Sequence, residues 1–285
     1  LEFDGDYSLI YDLDFSDGKF TYEKLVCVNS GRTLITRTTQ SCTFYDEENI
    51  TLPEQSTALV AKQDVLKYPE AASVMQWAQT TRSITFSLLH IDKFKQMHLG
   101  TISMEEMYES LDEREHGLIC NYMNKLDYHL DYIQESIINE NIKFVIVKEK
   151  GLNTILPDAF LSNGMYRVLY ILFYMHYISK QNVKCILVDD IGEGLDYDRS
   201  INLGRIVFDY CSEHDIQLIA TSNDNFLMNV VPLNNWIILN RHTSIVDSIS
   251  AITHKEIFDK FMKTGLRNFD IIRTDFIERN NKKDN

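Results

Sequence analysis

Two apolar segments in the second half of the chain are each bordered by polar residues that could do chemistry. Ser162 and Gly164 begin the first segment. Asp189 and Asp190 end the second one, Cys185 to Val188. Carboxylates at the carboxyl end of a strand can hold Mg²⁺. The amino end of a helix stabilises phosphate. These residue types in this order predict a site that handles a nucleotide.

The elements around these residues alternate between helix and strand. The hydrophobic periodicity predicts helices over Met165 to Ser179 and Tyr197 to Ser212, and strands over Lys184 to Val188 and Ile216 to Ala220. Alternation of this kind predicts an α/β fold with a parallel sheet. Ligands gather at the carboxyl edge of such a sheet. Four polar residues are expected along that edge: Asp189, Asp190, Thr221 and Ser222.

The amino-terminal part of the chain has a different pattern. Tyr7 to Phe15, Phe20 to Val28 and Thr33 to Thr38 each read as a strand, and Asp17-Gly18 reads as the hairpin turn between the first two. This pattern predicts an antiparallel β-lobe over residues 1–62.

Residues 63–140 read as mainly helical. Ser103 with Glu106 fits a capping box at a helix start. Within Met123 to Ile137, apolar residues recur at steps of three and four, which predicts an amphipathic helix. The predicted regions are therefore the β-lobe over 1–62, a helical insertion over 63–140 and an α/β core over 141–285.

Four segments in the core resemble motifs of one protein family. Leu161 to Arg167 is similar to the signature motif LSxGxxR of ABC-type ATPase heads, in particular the RecF/SMC/OLD-like group of AAA ATP-binding proteins. Ile186 to Asp190 resembles their Walker B strand, Gly194 to Asp196 their D-loop, and Ile219 to Asn223 their switch strand. The resemblance implies a P-loop NTPase-like fold, an ABC head with a mostly parallel sheet.

The same resemblance implies roles for individual residues. ATP would bind with Mg²⁺ held by Asp189, and Asp190 would be the catalytic carboxylate that orients water. Two copies would dimerise around the nucleotide, with Leu195 and Asp196 contacting the partner head. Nucleotide contacts are expected from Ser162, Asn163, Gly164, Arg167, Ser222 and Asn223.

Several of these residues have a plainer interpretation. Ser162 and Asp196 fit ordinary helix N-caps, and Arg167 fits a brace for the adjacent turn as well as a phosphate ligand. Ser222 and Asn223 fit a turn. These alternatives remain open at the level of sequence.

The chain departs from the family pattern in three places. The catalytic glutamate of the family is here Asp190, and the switch histidine position holds Ser222, so we expect slow hydrolysis or hydrolysis that needs a partner. No G-x-x-x-x-G-K-[ST] pattern occurs, and Gly18-Lys19 is the only Gly-Lys pair. We therefore expect an upstream Walker A segment that is absent from this chain. The alternative is a protein that never had one.

Composition limits the remaining possibilities. The 285 residues carry a net charge of -14, which argues against a broad non-specific nucleic-acid surface. The five cysteines lack C-x-x-C spacing, which is typical of reduced thiols in a cytoplasmic protein. No apolar run reaches the length of about 18 residues that a membrane span needs.

The preferred hypothesis is an ATP-binding and ATP-hydrolysing head that gates an effector protein, in bacterial DNA repair or antiphage defence as the resemblance implies. The alternative is a non-hydrolysing scaffold or partner-binding module derived from such a head. A phosphoryl-accepting receiver domain is disfavoured because its acidic pair would lie on the first strand. A metal-dependent nuclease is disfavoured because no further strand-end acidic set is apparent.

Overall fold

The computed structural model describes residues 2–3, 6–47, 50–61, 64–84, 102–139, 142–243 and 245–281. The chain divides into two compact units, Leu1–Thr81 and Arg82–Asn285. Each unit has its own hydrophobic core. The domain boundaries predicted after residues 62 and 140 remain predictions.

The first unit is built on a five-stranded antiparallel sheet with its strands in sequence order. The strands are β1 (Glu2–Phe3), β2 (Leu9–Ser16), β3 (Lys19–Cys27), β4 (Arg32–Arg37) and β5 (Cys42–Phe44). Asp17 and Gly18 connect β2 and β3 with φ of 51° and 77°. The predicted hairpin turn is confirmed, and Gly18-Lys19 therefore belongs to a hairpin and not to a phosphate-binding loop.

A short helix α1 (Ala58–Ala61) and a longer one, α2 (Pro69–Thr80), complete this unit. Ala71 and Val74 of α2 are buried with the apolar side chains of the sheet. Proline at the start of α2 suits the first helical turn, where a missing N–H costs nothing.

The second unit has a nearly all-apolar central helix, α5 (Asn163–Ser179), preceded by α3 (Met104–Ser110) and α4 (Glu113–Lys125). Every residue from Val168 to Met175 is at most 6% exposed. A helix that is apolar on all sides must be buried, and this one forms the middle of the core. At α3, Ser103 and Glu106 form the predicted capping box.

A three-stranded sheet beside this core has the order β11–β10–β6. Its strands are β6 (Thr81–Ile84), β10 (Cys185–Val188) and β11 (Gln217–Ala220), with α6 (Tyr197–Glu213) between the last two. Strands β10 and β11 pair in parallel, with Val188 opposite Ala220. The carboxyl ends of both strands therefore meet at one edge, as predicted.

The expectation of a mostly parallel sheet is confirmed only for this β10–β11 pair. Two further sheets of the unit are antiparallel: β7 (Leu130–Asn139) pairs with β8 (Ile142–Glu149) and β8 with β9 (Ile155–Pro157), and β12 (Ile237–His242) pairs with β13 (Ile245–Ser250). Consecutive strands joined by short connections can pair only in the antiparallel sense.

The helix predicted over Met123 to Ile137 is wrong beyond Lys125. Helix α4 ends there, Asp127 and His129 adopt positive φ, and β7 begins at Leu130. A register shift between Leu130 and Tyr132 places Leu130 and Ile133 both in the core. A β-bulge can therefore produce the three-residue spacing that also marks a helix.

The chain closes with short helices α7 (Asn225–Met228), α8 (Lys255–Met262), α9 (Asp270–Arg273) and α10 (Phe276–Asn281). A separate apolar cluster around Phe258 and Phe261 holds this region together. Within the described part of the chain, no helix combines the length and apolar character needed to cross a membrane.

Candidate nucleotide site

The two acidic residues and the polar residue after β11 are joined by hydrogen bonds. The hydroxyl of Thr221 donates to Asp189 Oδ1 at 2.6 Å and accepts from the backbone N–H of Asp190 at 2.9 Å. Parallel pairing of the two strands produces this contact, because residues 189 and 221 each follow the last paired position. The sequence predicted Thr221 at this edge but did not identify it as a site residue. The register of the two strands would have identified it, because residue 221 is the neighbour of residue 189 in that register.

Asp190 occupies an unusual environment for a carboxylate. Its φ is +55°, a left-handed conformation that asparagine and aspartate tolerate better than most residues. Its Oδ1 is buried with no hydrogen-bond partner among the described residues. Burial, and next the charge of Glu193, raise the pKa of Asp190, while Arg167 and the backbone N–H of Asn223 oppose that shift.

Ser162 and Gly164 form the start of helix α5. Ser162 is the N-cap, and its Oγ accepts the backbone N–H of Met165 at 3.3 Å. A β-carbon built at Gly164 would lie 2.9 Å from the carbonyl oxygen of Gly194 and 3.2 Å from Leu195 Cδ2. Glycine is therefore required here by a close approach to the turn that follows β10.

Asn163 is the first residue of α5 and is exposed beside Ser162. The helix tip thus presents an exposed N-cap and an exposed first residue, the arrangement in which backbone N–H groups can bind an anion.

Arg167 reaches from the first turns of α5 to the same turn after β10. Its Nη1 donates to the carbonyl of Glu193 at 2.9 Å and its Nη2 to Glu193 Oε2 at 2.7 Å. Nη1 also lies 3.5 Å from the carbonyl oxygen of Asp190. The guanidinium therefore braces the turn within its own chain.

Asp196 caps helix α6. Its Oδ1 accepts the backbone N–H of Arg199, and its Oδ2 forms an ion pair with Arg199 Nη1 at 2.8 Å. Arg199 also donates to the carbonyls of Leu126 and Asp127. Asp196 is a helix N-cap in this chain, and a contact to a second copy remains a prediction.

Ser222 and Asn223 lie in the segment that follows β11. Ser222 Oγ accepts the backbone N–H of Asp224 at 3.0 Å, which gives Ser222 a turn role. Asp224 in turn caps α7 and accepts a hydrogen bond from the buried hydroxyl of Ser200. A β-carbon at Gly192 would lie 2.7 Å from Asp224 Oδ2. These contacts connect the turn after β10 to α6 and α7. The sequence did not predict the three residues that make them, Gly192, Ser200 and Asp224.

These contacts bring most of the expected residues into one connected arrangement. The turn of residues 190–196 contacts the start of α5 on one side and the segment after β11 on the other. No group of three or more His, Cys, Asp or Glu side chains suited to a metal ion occurs among the residues that the structure describes.

Comparison with known proteins gives only distant structural similarity. No family model and no curated protein matches the chain. Among solved structures, it is similar to an Smc head bound to the C-winged helix domain of ScpA, at 13% identity and a TM-score of 0.44, covering 88% of this chain and 77% of that one.

Two further head structures give comparable values. The Smc head domain with an extended coiled coil, bound to the C-terminal domain of ScpA, from Pyrococcus furiosus matches at 12% identity and a TM-score of 0.43, covering 90% and 81% of the two chains. The SMC head domain from Thermotoga maritima matches at 6% identity and a TM-score of 0.42, covering 86% and 74%. Because these scores are low, we draw no conclusion from the similarity.

Proposed function

We propose that this chain is the nucleotide-handling part of an ATPase of the ABC, RecF and SMC-like class. The observation that carries the proposal is the pair of hydrogen bonds through which Thr221 joins Asp189 and Asp190 at the ends of two parallel strands. Adjacent parallel strands that end in a carboxylate pair and a hydroxyl provide a site for a metal-bound phosphate group.

Asp189 fits the role of a Mg²⁺ ligand. It is exposed at the strand end, and the hydroxyl of Thr221 orients its carboxylate. Mg²⁺ bound to ATP needs only one or two protein carboxylates, because phosphate oxygens and water complete its shell. When bound, the ion would neutralise charge on the phosphates.

Asp190 would accept a hydrogen bond from the attacking water and so hold it in line with the terminal phosphate. Positioning and electrostatic stabilisation are the main tasks in phosphoryl transfer. The Oδ1 of Asp190 is buried and has no hydrogen-bond partner among the described residues, so it keeps an unused acceptor that a rearrangement of the site on nucleotide binding would open to water.

The start of α5 would contact the terminal phosphate of a nucleotide held by a second copy. Ser162 and Asn163 are exposed there, and Gly164 allows close backbone approach. In this dimer, Leu195 and Asp196 would lie near the partner head, and Ser222 and Asn223 would lie near the nucleotide. An effector protein, DNA repair and antiphage defence are further parts of the proposal that follow from the sequence resemblance alone.

A non-hydrolysing scaffold is the second candidate. Gly164 is explained by its contact with Gly194, and Asp196 by its capping of α6, so both have structural roles without nucleotide. The described residues also contain no phosphate-binding loop at Gly18-Lys19. A scaffold would keep the fold and dimer contacts and lack turnover.

ATP binding, dimerisation and turnover by the full-length protein and its Asp190→Asn variant test both candidates. Asparagine has the same shape and tolerates positive φ, so the substitution removes charge with little backbone cost. We expect lost turnover and tighter ATP-dependent dimers. The matched control is Asp215→Asn, because Asp215 also has positive φ but precedes β11 at the opposite end of that strand.

The results separate the candidates clearly. Unchanged turnover in Asp190→Asn would remove Asp190 from its role. ATP-dependent dimers of the wild-type protein without turnover would favour the scaffold. If the wild-type protein neither binds nor hydrolyses ATP, the ATPase proposal is rejected.

A further inference from the structure

The guanidinium of Arg167 is engaged within its own chain. Its side chain is 12% exposed, and both terminal nitrogens contact Glu193, one through the backbone carbonyl and one through the carboxylate. Hydrogen bonds between charged partners are stronger than neutral ones, and a two-point contact also fixes orientation.

The same helix turn contacts the other end of the segment after β10. Gly164 lies against Gly194 and Leu195, while Arg167 reaches Asp190 and Glu193. The start of α5 therefore contacts both the first residues and the last residues of the segment 190–195.

The carboxylate of Asp190 depends on this segment for its position. Its φ of +55° is a conformation that the surrounding structure must maintain. The turn is closed by a hydrogen bond from the backbone N–H of Glu193 to the carbonyl of Asp190 at 3.1 Å. Outside this turn, the backbone N–H of Asn223 also hydrogen-bonds the carboxylate, whereas Oδ1 has no partner among the described residues.

We propose that Arg167 is a positioning residue that holds Asp190 through Glu193 and the 190–193 turn, and that it is not a phosphate ligand. The inference rests on the proposed hydrolysis of ATP. A positioning residue affects the chemical step, so its loss lowers kcat and leaves KM for ATP nearly unchanged. A phosphate ligand also contributes to binding, so its loss raises KM.

Steady-state ATP hydrolysis by the full-length protein tests this assignment. The variants are Arg167→Ala, Glu193→Ala, the double variant, and the charge swap Arg167→Glu with Glu193→Arg. We expect each single variant to lower kcat about tenfold or more, since small displacements of a reacting group are costly. KM should change by less than about twofold. The double variant should be no worse than either single one, and the swap should regain part of the loss.

Two controls keep the result interpretable. Arg205→Ala removes an exposed arginine from α6 and should leave both constants unchanged. Glu193 is 60% exposed, so Glu193→Ala should fold even if Arg167→Ala does not. A wild-type kcat for Glu193→Ala would overturn the proposal.

Other outcomes are equally decisive. A raised KM in Arg167→Ala but not in Glu193→Ala would identify Arg167 as a phosphate ligand, and additive losses in the double variant would show that the two residues act separately. Either result overturns the positioning role while the ATPase proposal stands. Absence of hydrolysis by the wild-type protein would reject the ATPase proposal itself, and the inference with it.

Discussion

Gly164 at the start of helix α5 lies against the backbone carbonyl of Gly194 in the turn after β10. A β-carbon at Gly164 would lie 2.9 Å from that oxygen, a separation that real β-carbons essentially never show. Because the neighbouring atom belongs to the backbone, a side chain at 164 could be accommodated only by moving the helix or the turn. The signature-like and D-loop-like segments are therefore packed together within one copy of the chain.

Gly164→Ala should destabilise the protein for this reason. Overpacking of this kind costs about 1–3 kcal/mol, which denaturant unfolding followed by circular dichroism would measure. The matched control is Gly117→Ala in helix α4, where nothing lies within 4 Å of the added carbon. That change should stabilise the protein by about 0.5–1 kcal/mol, because alanine is the better helix former. Equal stability of Gly164→Ala and the wild type would contradict the contact.

The regular elements around the site could be predicted because their burial follows simple periods. The helix predicted over Met165 to Ser179 is observed as Asn163–Ser179, and the strand predicted over Lys184 to Val188 as Cys185–Val188. The strand Leu130–Asn139 could not be predicted in this way, because a bulge gives it a helix-like spacing of apolar residues.

The site could be predicted only in part. Residues at the ends of parallel strands were expected to meet because the topology requires it, and Asp189 and Thr221 do meet. The contacts of Arg167 with Glu193 join segments distant in sequence, and they depend on how α5 packs against the turn. Nothing in the local sequence specifies that packing, so Arg167 remained open between two roles.

The hydroxyl of Thr221 should matter more than its methyl group. Thr221→Val keeps the shape but removes both the donor to Asp189 and the acceptor for the Asp190 N–H. We expect a loss of about 1 kcal/mol in the free energy of unfolding, and lower ATP turnover by the full-length protein. Thr221→Ser retains the hydroxyl and should stay close to wild type in both measurements. Equal behaviour of the two variants would show that the hydroxyl has no such role.

A buried ion pair in the first unit should dominate the stability of the β-lobe. Glu23 is fully buried and accepts hydrogen bonds from the hydroxyl of Tyr11 and the backbone N–H of Ala58, with Arg37 Nη1 at 3.8 Å. Glu23→Gln would replace a carboxylate oxygen with a donor group and leave the buried Arg37 without its counter-charge. Loss of one partner of a buried pair costs about 3–5 kcal/mol.

Thermal or denaturant unfolding would measure this loss. The matched control is Asp46→Asn, which breaks the exposed pair between Asp46 and Arg32. An exposed pair contributes at most about 1 kcal/mol, so little change is expected there. A loss for Glu23→Gln as small as that for Asp46→Asn would show that the buried pair does not stabilise the lobe.

His176 should make the protein less stable in mild acid. The side chain is 6% exposed, and its Nε2 is buried with no hydrogen-bond partner among the described residues. Burial lowers the pKa of His176; Glu115 acts in the opposite direction, and His214 and Lys180 lower it further. The rings of Tyr122 and Tyr210 pack around the imidazole.

The direction of the pH effect follows from proton linkage. An unfolded histidine titrates near pH 6.5, about its usual pKa, whereas the folded one binds a proton only at lower pH. Between these two values the unfolded chain holds more protons, so stability falls as the pH drops through the unfolded pKa. One such group contributes a slope of at most about 1.4 kcal/mol per pH unit. His176→Phe should remove this contribution to the pH dependence of stability. Denaturant unfolding between pH 7 and pH 5 would measure the change. The control is His129→Asn at an exposed position, which should keep the wild-type pH dependence. A slope in His176→Phe equal to that of the wild type would show that the acid sensitivity arises elsewhere.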